Sequence, residues 1–117
     1  MSMDQTNLQI LANYCAAAAE SMGWTLMRTA HSTFIKETED FSCQILDVEG
    51  RTVASPKTMG ATWYTGLDYG EVLRGLDYED GDIYLTSDPY SGSLATHTPD
   101  VHLWKPIFYD GQLMFFV

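Results

Sequence analysis

Val101-His102-Leu103-Trp104-Lys105-Pro106-Ile107-Phe108-Tyr109 and Gln112-Leu113-Met114-Phe115-Phe116-Val117 are two apolar runs joined by Asp110-Gly111. A two-residue Asp-Gly link accepts the positive φ angles of a tight hairpin turn, so the two runs should return on each other as antiparallel strands. That turn decides the fold class, because it makes the sheet at least partly antiparallel. Upstream, Ile83-Tyr84-Leu85-Thr86 reads as another strand, entered through the turn Asp77-Tyr78-Glu79-Asp80-Gly81-Asp82. Phe41-Ser42-Cys43-Gln44-Ile45-Leu46 alternates in strand fashion, and Asp47-Val48-Glu49-Gly50 turns the chain. Arg51-Thr52-Val53-Ala54-Ser55 then returns as a second hairpin arm, which Pro56 ends.

The N-terminal region has a different period. Leu8, Leu11, Cys15, Ala18, Met22 and Leu26 recur at steps of three and four, which draws one apolar stripe along a helix over 5–30, capped by Asp4 or Thr6. Gly23 inside it signals a close approach or a kink. A tightly packed connection is expected over 59–65 and a short helix over 67–76, with Leu67, Val72, Leu73 and Leu76 as its apolar positions. The fold class is therefore α+β, a long N-terminal helix packed on a mainly antiparallel sheet with hairpins. Leu113 to Val117 stops in mid-run without a closing turn, so residues 1–117 are expected to be an incomplete part of a larger domain.

Composition narrows the partners. Sixteen acidic against six basic residues leave a net charge of −10, which would repel a phosphate backbone or an anionic bilayer, so neither nucleic acid nor membrane is expected as a partner. The N-terminus lacks the basic-then-apolar pattern of a secretory signal, and a cytoplasmic location is expected. Cys15 and Cys43 have neither metal-finger nor redox spacing and read as reduced thiols in the packing.

The chemistry-bearing groups concentrate in Thr86-Ser87-Asp88-Pro89-Tyr90-Ser91-Gly92-Ser93-Leu94-Ala95-Thr96-His97-Thr98-Pro99-Asp100. Pro89 and Pro99 hold Asp88 and Thr98 extended, and His97 and Asp100 stand three residues apart on a chain that cannot be helical through Pro99. Imidazole plus carboxylate is a usual partial ligand set for a divalent metal, although a complete site needs three or four such groups. The competing reading is an Asp-Pro turn with a histidine bonded to local backbone. Arg28, His31, Lys36, Glu37, Glu39 and Asp40 crowd the exit of the long helix. Solvated ion pairing accounts for them at about 0–1 kcal/mol per pair, and a phosphate- or carboxylate-receiving role for Arg28 and Lys36 is the alternative.

Leu26-Met27-Arg28-Thr29-Ala30-His31-Ser32, then Ile35-Lys36-Glu37 with Asp40-Phe41-Ser42-Cys43, then Gly81-Asp82-Ile83-Tyr84 with Ser87-Asp88-Pro89-Tyr90-Ser91-Gly92, then Thr96-His97-Thr98-Pro99-Asp100 resemble, in order and spacing, successive motifs of the hydantoinase B family. The resemblance covers nearly the whole chain but only the N-terminal part of the family's much longer members. It implies that residues 1–117 are the N-terminal part of the B-type subunit of an ATP-dependent cyclic-amide hydrolase of the hydantoinase or oxoprolinase type. An A-type, ATP-using partner would phosphorylate a small carbonyl or cyclic-amide substrate, and the B-type component would process it. The runner-up is an ATP-dependent ketone carboxylase of the acetone or acetophenone type. A reading of another class is a non-catalytic assembly fragment that binds an A-type subunit or the remainder of its own subunit.

What the resemblance implies for the site is residue-specific. His97 and Asp100 fall on the family's His-x-Pro-Asp segment and would be ligands of a divalent metal, Mn or Zn, with further ligands expected beyond Val117. The 117 residues alone should then be inactive. Asp88 would orient the loop or a ligand. His102 stands where Thr is frequent and is an extra candidate ligand, with a strand histidine facing solvent or a neighbour as the alternative. Ser87 replaces a common Asn, Ser93-Leu94-Ala95 lengthens the loop, and Met59 to Tyr64 departs from a segment that often contains His, which leaves the substrate class open.

Overall fold

The computed structural model describes residues 3–61, 64–90 and 95–117. They fall into two compact units, Met1–Ile45 with Thr52–Gly66, and Leu46–Arg51 with Leu67–Val117. The fold is α+β, as expected, and no helix among the described residues is long and apolar enough to cross a membrane.

In the first unit Asp4 starts helix α1 (Gln5–Thr29) by accepting the Asn7 N–H at 2.7 Å. This satisfies one of the amide groups that every helix start leaves open. The helix buries only Ala19 and Gly23. A Cβ on Gly23 would stand 2.6 Å from Met59 Sδ and 3.3 Å from Pro56 Cγ, so the expected close approach is real and Gly23 makes it possible. Glu20 fastens the same segment by accepting the Lys57 N–H at 2.7 Å. The apolar stripe is otherwise less covered than its periodicity suggests. Leu8 and Leu11 are 59% and 49% exposed, because residues 56–59 meet α1 near Glu20 and Gly23, well beyond its first turns.

A short helix α2 (Thr33–Lys36), which the hydrophobic pattern does not announce, follows with the Ser32 hydroxyl accepting the Phe34 N–H at 3.2 Å. The expected packed connection appears at Met59, Gly60 and Ala61: Ala61 N–H donates to the Phe41 carbonyl at 2.6 Å and Gly60 N–H to the Glu39 carboxylate at 3.0 Å. Thr62 and Trp63 of that stretch lie outside the described residues. Strand β1 is only Ile45–Leu46 and β2 only Thr52–Ala54, shorter than 41–46 and 51–55, since the Phe41 carbonyl is committed to Ala61 instead of a ladder.

The second unit begins with the turn between β1 and β2. Asp47 N–H donates to the Arg51 carbonyl at 2.9 Å, and Gly50 sits at φ 89°, where an added Cβ would come within 2.4 Å of Gly70 N. Only glycine fits both demands. The helix expected over 67–76 is a single turn, α3 (Gly70–Leu73), because Arg74 is already extended and Gly75 is left-handed at φ 80°.

β3 (Tyr84–Thr86) pairs antiparallel with β4 (His102–Trp104) in the register Tyr84↔Trp104, Leu85↔Leu103, Thr86↔His102. β5 (Pro106–Tyr109) pairs with β6 (Gln112–Phe116) through Asp110 and Gly111 at φ 51° and 74°, the two positive values the Asp-Gly signal predicts. The run 101–109 is therefore two strands in two sheets and not one. Lys105 exchanges both backbone bonds with Val117, and Pro106, which has no N–H to donate, opens β5.

β6 lies between β1 and β5, with Leu46 and Pro106 both opposite Phe116. Phe116 is 1% exposed and joins Leu46, Leu73 and Trp104 in the core, a burial worth about 2–3 kcal/mol for such a ring. Tyr78 stands edge-on to Phe116 and Tyr84 at 4.8 and 5.0 Å, and Tyr84 stacks on Trp104 at 5.7 Å. The Trp104 indole N–H donates to the Tyr78 hydroxyl, which donates to the Leu73 carbonyl, so the polar tips of both rings are satisfied.

Candidate metal centre

The segment between β3 and β4 carries the candidate ligands. At its start Asp88 Oδ1 accepts the Tyr90 N–H at 2.8 Å and Asp88 N–H donates to the Thr86 hydroxyl at 3.2 Å, a turn in which the Asp side chain takes the place of a backbone carbonyl. Ser91 to Leu94, which include Ser93 and Leu94 of the expected loop extension, lie outside the described residues, and Ala95, its last residue, is buried.

At the far end the turn from Ala95 to Asp100 closes on itself. Asp100 N–H donates to the His97 carbonyl at 3.0 Å, while Asp100 Oδ2 accepts the Thr96 N–H at 3.0 Å and the Thr96 hydroxyl at 2.7 Å. The Thr96 hydroxyl is the strongest influence holding the Asp100 carboxyl below its ordinary range. Partial burial opposes it, and the Thr96 N–H and His97 assist. The other oxygen, Oδ1, faces His97 Nε2 at 3.6 Å. That is long for a hydrogen bond, and close to the separation of about 3.4 Å between two tetrahedral ligands bonded at about 2.1 Å to one metal. The His97 side chain is 62% exposed and so open to an incoming ion.

Thr96, which holds the Asp100 carboxylate by both its N–H and its hydroxyl, is the residue of this turn that residue types alone did not single out. Its signal was a hydroxyl residue four positions before an aspartate across a proline-fixed turn.

His102 opens β4 opposite Thr86 and alternates with exposed Leu103, which puts it on the half-buried face with Trp104. Burial pushes its imidazole below the ordinary value of 6.5, and the Asp100 carboxylate pulls weakly the other way. Asp100 precedes the strand, so strand alternation does not set the two side chains on one face. Among the described residues no three His, Cys, Asp or Glu groups converge as a metal-ligand set; the structure offers the pair His97 and Asp100.

Arg28 and Lys36 belong to the first unit, and His97, Asp100, His102 and Asp88 to the second. The expected ion pairing around Arg28 does not form among the described residues. Arg28, His31 and Lys36 are exposed, and Glu39 accepts the Gly60 N–H instead. Helix ends and caps satisfy this stretch without charge pairing. Cys15 and Cys43 are free, half-buried thiols, and burial raises the Cys43 pKa, which keeps it protonated and unreactive.

Comparison with known proteins agrees with this arrangement of motifs. The family model for hydantoinase B/oxoprolinase matches residues 4–117. The chain is 36% identical to 5-oxoprolinase 1 of Arabidopsis thaliana over 97% of its own length and 9% of that protein. It is 37% identical to 5-oxoprolinase PfmaA of Pestalotiopsis fici, over 94% of this chain and 9% of that one. The B-type subunit of a candidate D-/L-hydantoinase of Pseudomonas sp. is 29% identical over 97% of the chain, which covers 20% of it. No solved structure matches. With a family match that runs from residue 4 to the last residue, the chain belongs to the hydantoinase B/oxoprolinase family.

Proposed function

We propose that these residues contribute to the B-type component of an ATP-dependent cyclic-amide hydrolase, and that His97 and Asp100 supply two ligands of its divalent metal, Mn or Zn. The observation that carries the reading is the orientation of Asp100. One carboxylate oxygen is fixed by two Thr96 donors, and the other is turned towards His97 Nε2 at 3.6 Å. With Oδ2 held by Thr96, Oδ1 and the exposed imidazole are left facing each other at a separation that two ligands of one metal would have. The named relatives, 5-oxoprolinases and a candidate hydantoinase component, favour the hydrolase over the ketone carboxylase.

In this reading the residues divide their work. Thr96 fixes the carboxylate plane, the His97 carbonyl tethers Asp100 through its N–H, and Asp88 keeps the loop's entry turned by holding the Tyr90 N–H. When bound, the metal would polarise a substrate oxygen or acidify a water. Phosphorylation of the substrate belongs to an A-type partner, and Arg28 and Lys36 are candidate contacts for the phosphorylated group. The chain spans 9% of the 5-oxoprolinases and 20% of the hydantoinase component it matches, so turnover is proposed for the whole assembly and not for these residues alone.

The test follows three quantities in the assembled protein with its A-type partner: bound metal, ATP consumed and cyclic amide opened. His97→Ala and Asp100→Ala should lower metal content and product together by more than about tenfold, while ATP use continues. Full metal content with normal coupling in both variants would contradict the assignment.

A further inference from the structure

The β3–β4 ladder has one face in the core and one face open. Tyr84 and Trp104 point into the aromatic core, while their strand neighbours Leu85 and Leu103 pair across the ladder at 63% and 60% exposure. Ile83 and Val101, each two residues before its leucine, are 63% and 59% exposed and, because the strands are antiparallel, stand at opposite ends of the ladder. An exposed cross-strand leucine pair with one exposed aliphatic residue beyond it at each end exceeds the scattered apolar residues that a surface normally carries.

Charge says what kind of surface would cover it. Asp82 adjoins Ile83 in a turn with Asp77, Glu79 and Asp80, while Asp100 adjoins Val101 and Asp88 follows β3, so both ends of the ladder carry carboxylates. From residue 77 to residue 105 these six acids face one basic residue, Lys105. A second copy of the chain would bring like rims together on a protein of net charge −10.

We propose that this face docks a partner protein through a segment whose aliphatic stripe is bordered by lysine and arginine. The aliphatic centre supplies affinity, and the acidic rim supplies orientation and rejects acidic surfaces. The proposal does not rest on the metal reading: the aliphatic centre contains no candidate ligand, and Asp100 and Asp88 enter only as two of the six rim charges.

The probe is a fluorescent amphipathic peptide of repeated Leu-Lys-Lys-Leu, titrated by the 117-residue protein and read by anisotropy. It should bind, and Leu85→Asp or Leu103→Asp should weaken it by about tenfold or more, the loss expected for one buried leucine contact. Raising salt from about 50 to about 500 mM should weaken binding further, because the rim charges are exposed. The Glu-for-Lys version of the peptide should not bind. Leu8→Ser with Leu11→Ser on α1 should leave affinity unchanged, and Leu103→Thr keeps strand propensity should the aspartate variants fail to fold. Affinity that survives Leu103→Thr and both aspartate variants, or falls in the α1 variant instead, would overturn the proposal. So would a wild-type dimer that Leu103→Asp splits into monomers, which would assign the face to a second copy.

Discussion

Two aspartates in the second unit end in similar turns and differ in what their oxygens do. Asp47 gives Oδ1 to the N–H groups of Glu49 and Arg51 at 3.0 and 2.9 Å, and Oδ2 to Arg51 Nε at 2.8 Å, so both oxygens are spent on the turn. Asp100 gives Oδ2 to Thr96 and leaves Oδ1 facing an imidazole. The first arrangement holds the turn's backbone and the Arg51 guanidinium, with neither oxygen left over. The second holds backbone with half of the carboxylate and presents the remainder, which is why equal acidity in a sequence does not mean equal function.

The largest effect tests the turn that carries Asp47. Gly50→Ala should cost about 3 kcal/mol in urea denaturation, since it adds a left-handed alanine and a clash with the backbone of Gly70. Gly111→Ala, also at positive φ but with nothing within 4 Å, should cost about 1 kcal/mol, and equal losses would refute the crowding account. Asp47→Ala should cost about 2 kcal/mol, because the two turn amides lose their acceptor together. At Asp100 the stability costs are smaller. Asp100→Ala should cost only about 1 kcal/mol, and Asp100→Asn a few tenths, since an amide oxygen can still accept from Thr96. If Asp100→Asn destabilised the protein as much as Asp47→Ala, Asp100 would be a turn residue of the same kind.

The smallest effect is on pH dependence. His102 has a depressed pKa, so below its ordinary value of 6.5 the unfolded chain takes up a proton that the folded chain refuses. Its contribution to stability is full above that value and is lost as the pH falls towards the folded pKa. The urea midpoint should decline as pH is lowered through this window, and His102→Gln should flatten the decline. Asp100, also depressed, adds a separate loss in the range below its ordinary 3.8. An unchanged slope in His102→Gln would show that the imidazole is not desolvated.

The same contrast explains what could be read in advance. The Asp110-Gly111 turn and the Asp4 cap are local, decided by residues a few positions apart, and the chain spells them out; Gly23 signals a close approach, but its partners Pro56 and Met59 lie more than thirty residues away. The break at Lys105 depends on Val117, twelve residues away, and the fate of the Phe41 carbonyl depends on Ala61, twenty away. Periodicity has no access to either. At the site, His97 and Asp100 were visible as residue types, and Pro99 as the reason they lie on a turn. Thr96 was not, because its role comes from both its N–H and its hydroxyl reaching one oxygen. The stripe of α1 promised more burial than its neighbours supply, since a hydrophobic pattern reports which face is apolar and not what covers it.

The most direct test of the central claim is where a paramagnetic ion goes. Mn²⁺ is titrated in substoichiometric steps into the isotope-labelled protein, and resonance broadening is followed for the His97 ring and the amides of residues 96–100, with the Asp47 turn as internal comparison. The account predicts that the His97 and Asp100 signals broaden first, that Asp47 and its neighbours stay sharp, and that His97→Ala or Asp100→Asn removes the selective broadening while the fold persists. Broadening spread evenly over the acidic turns, and unchanged in both variants, would contradict it.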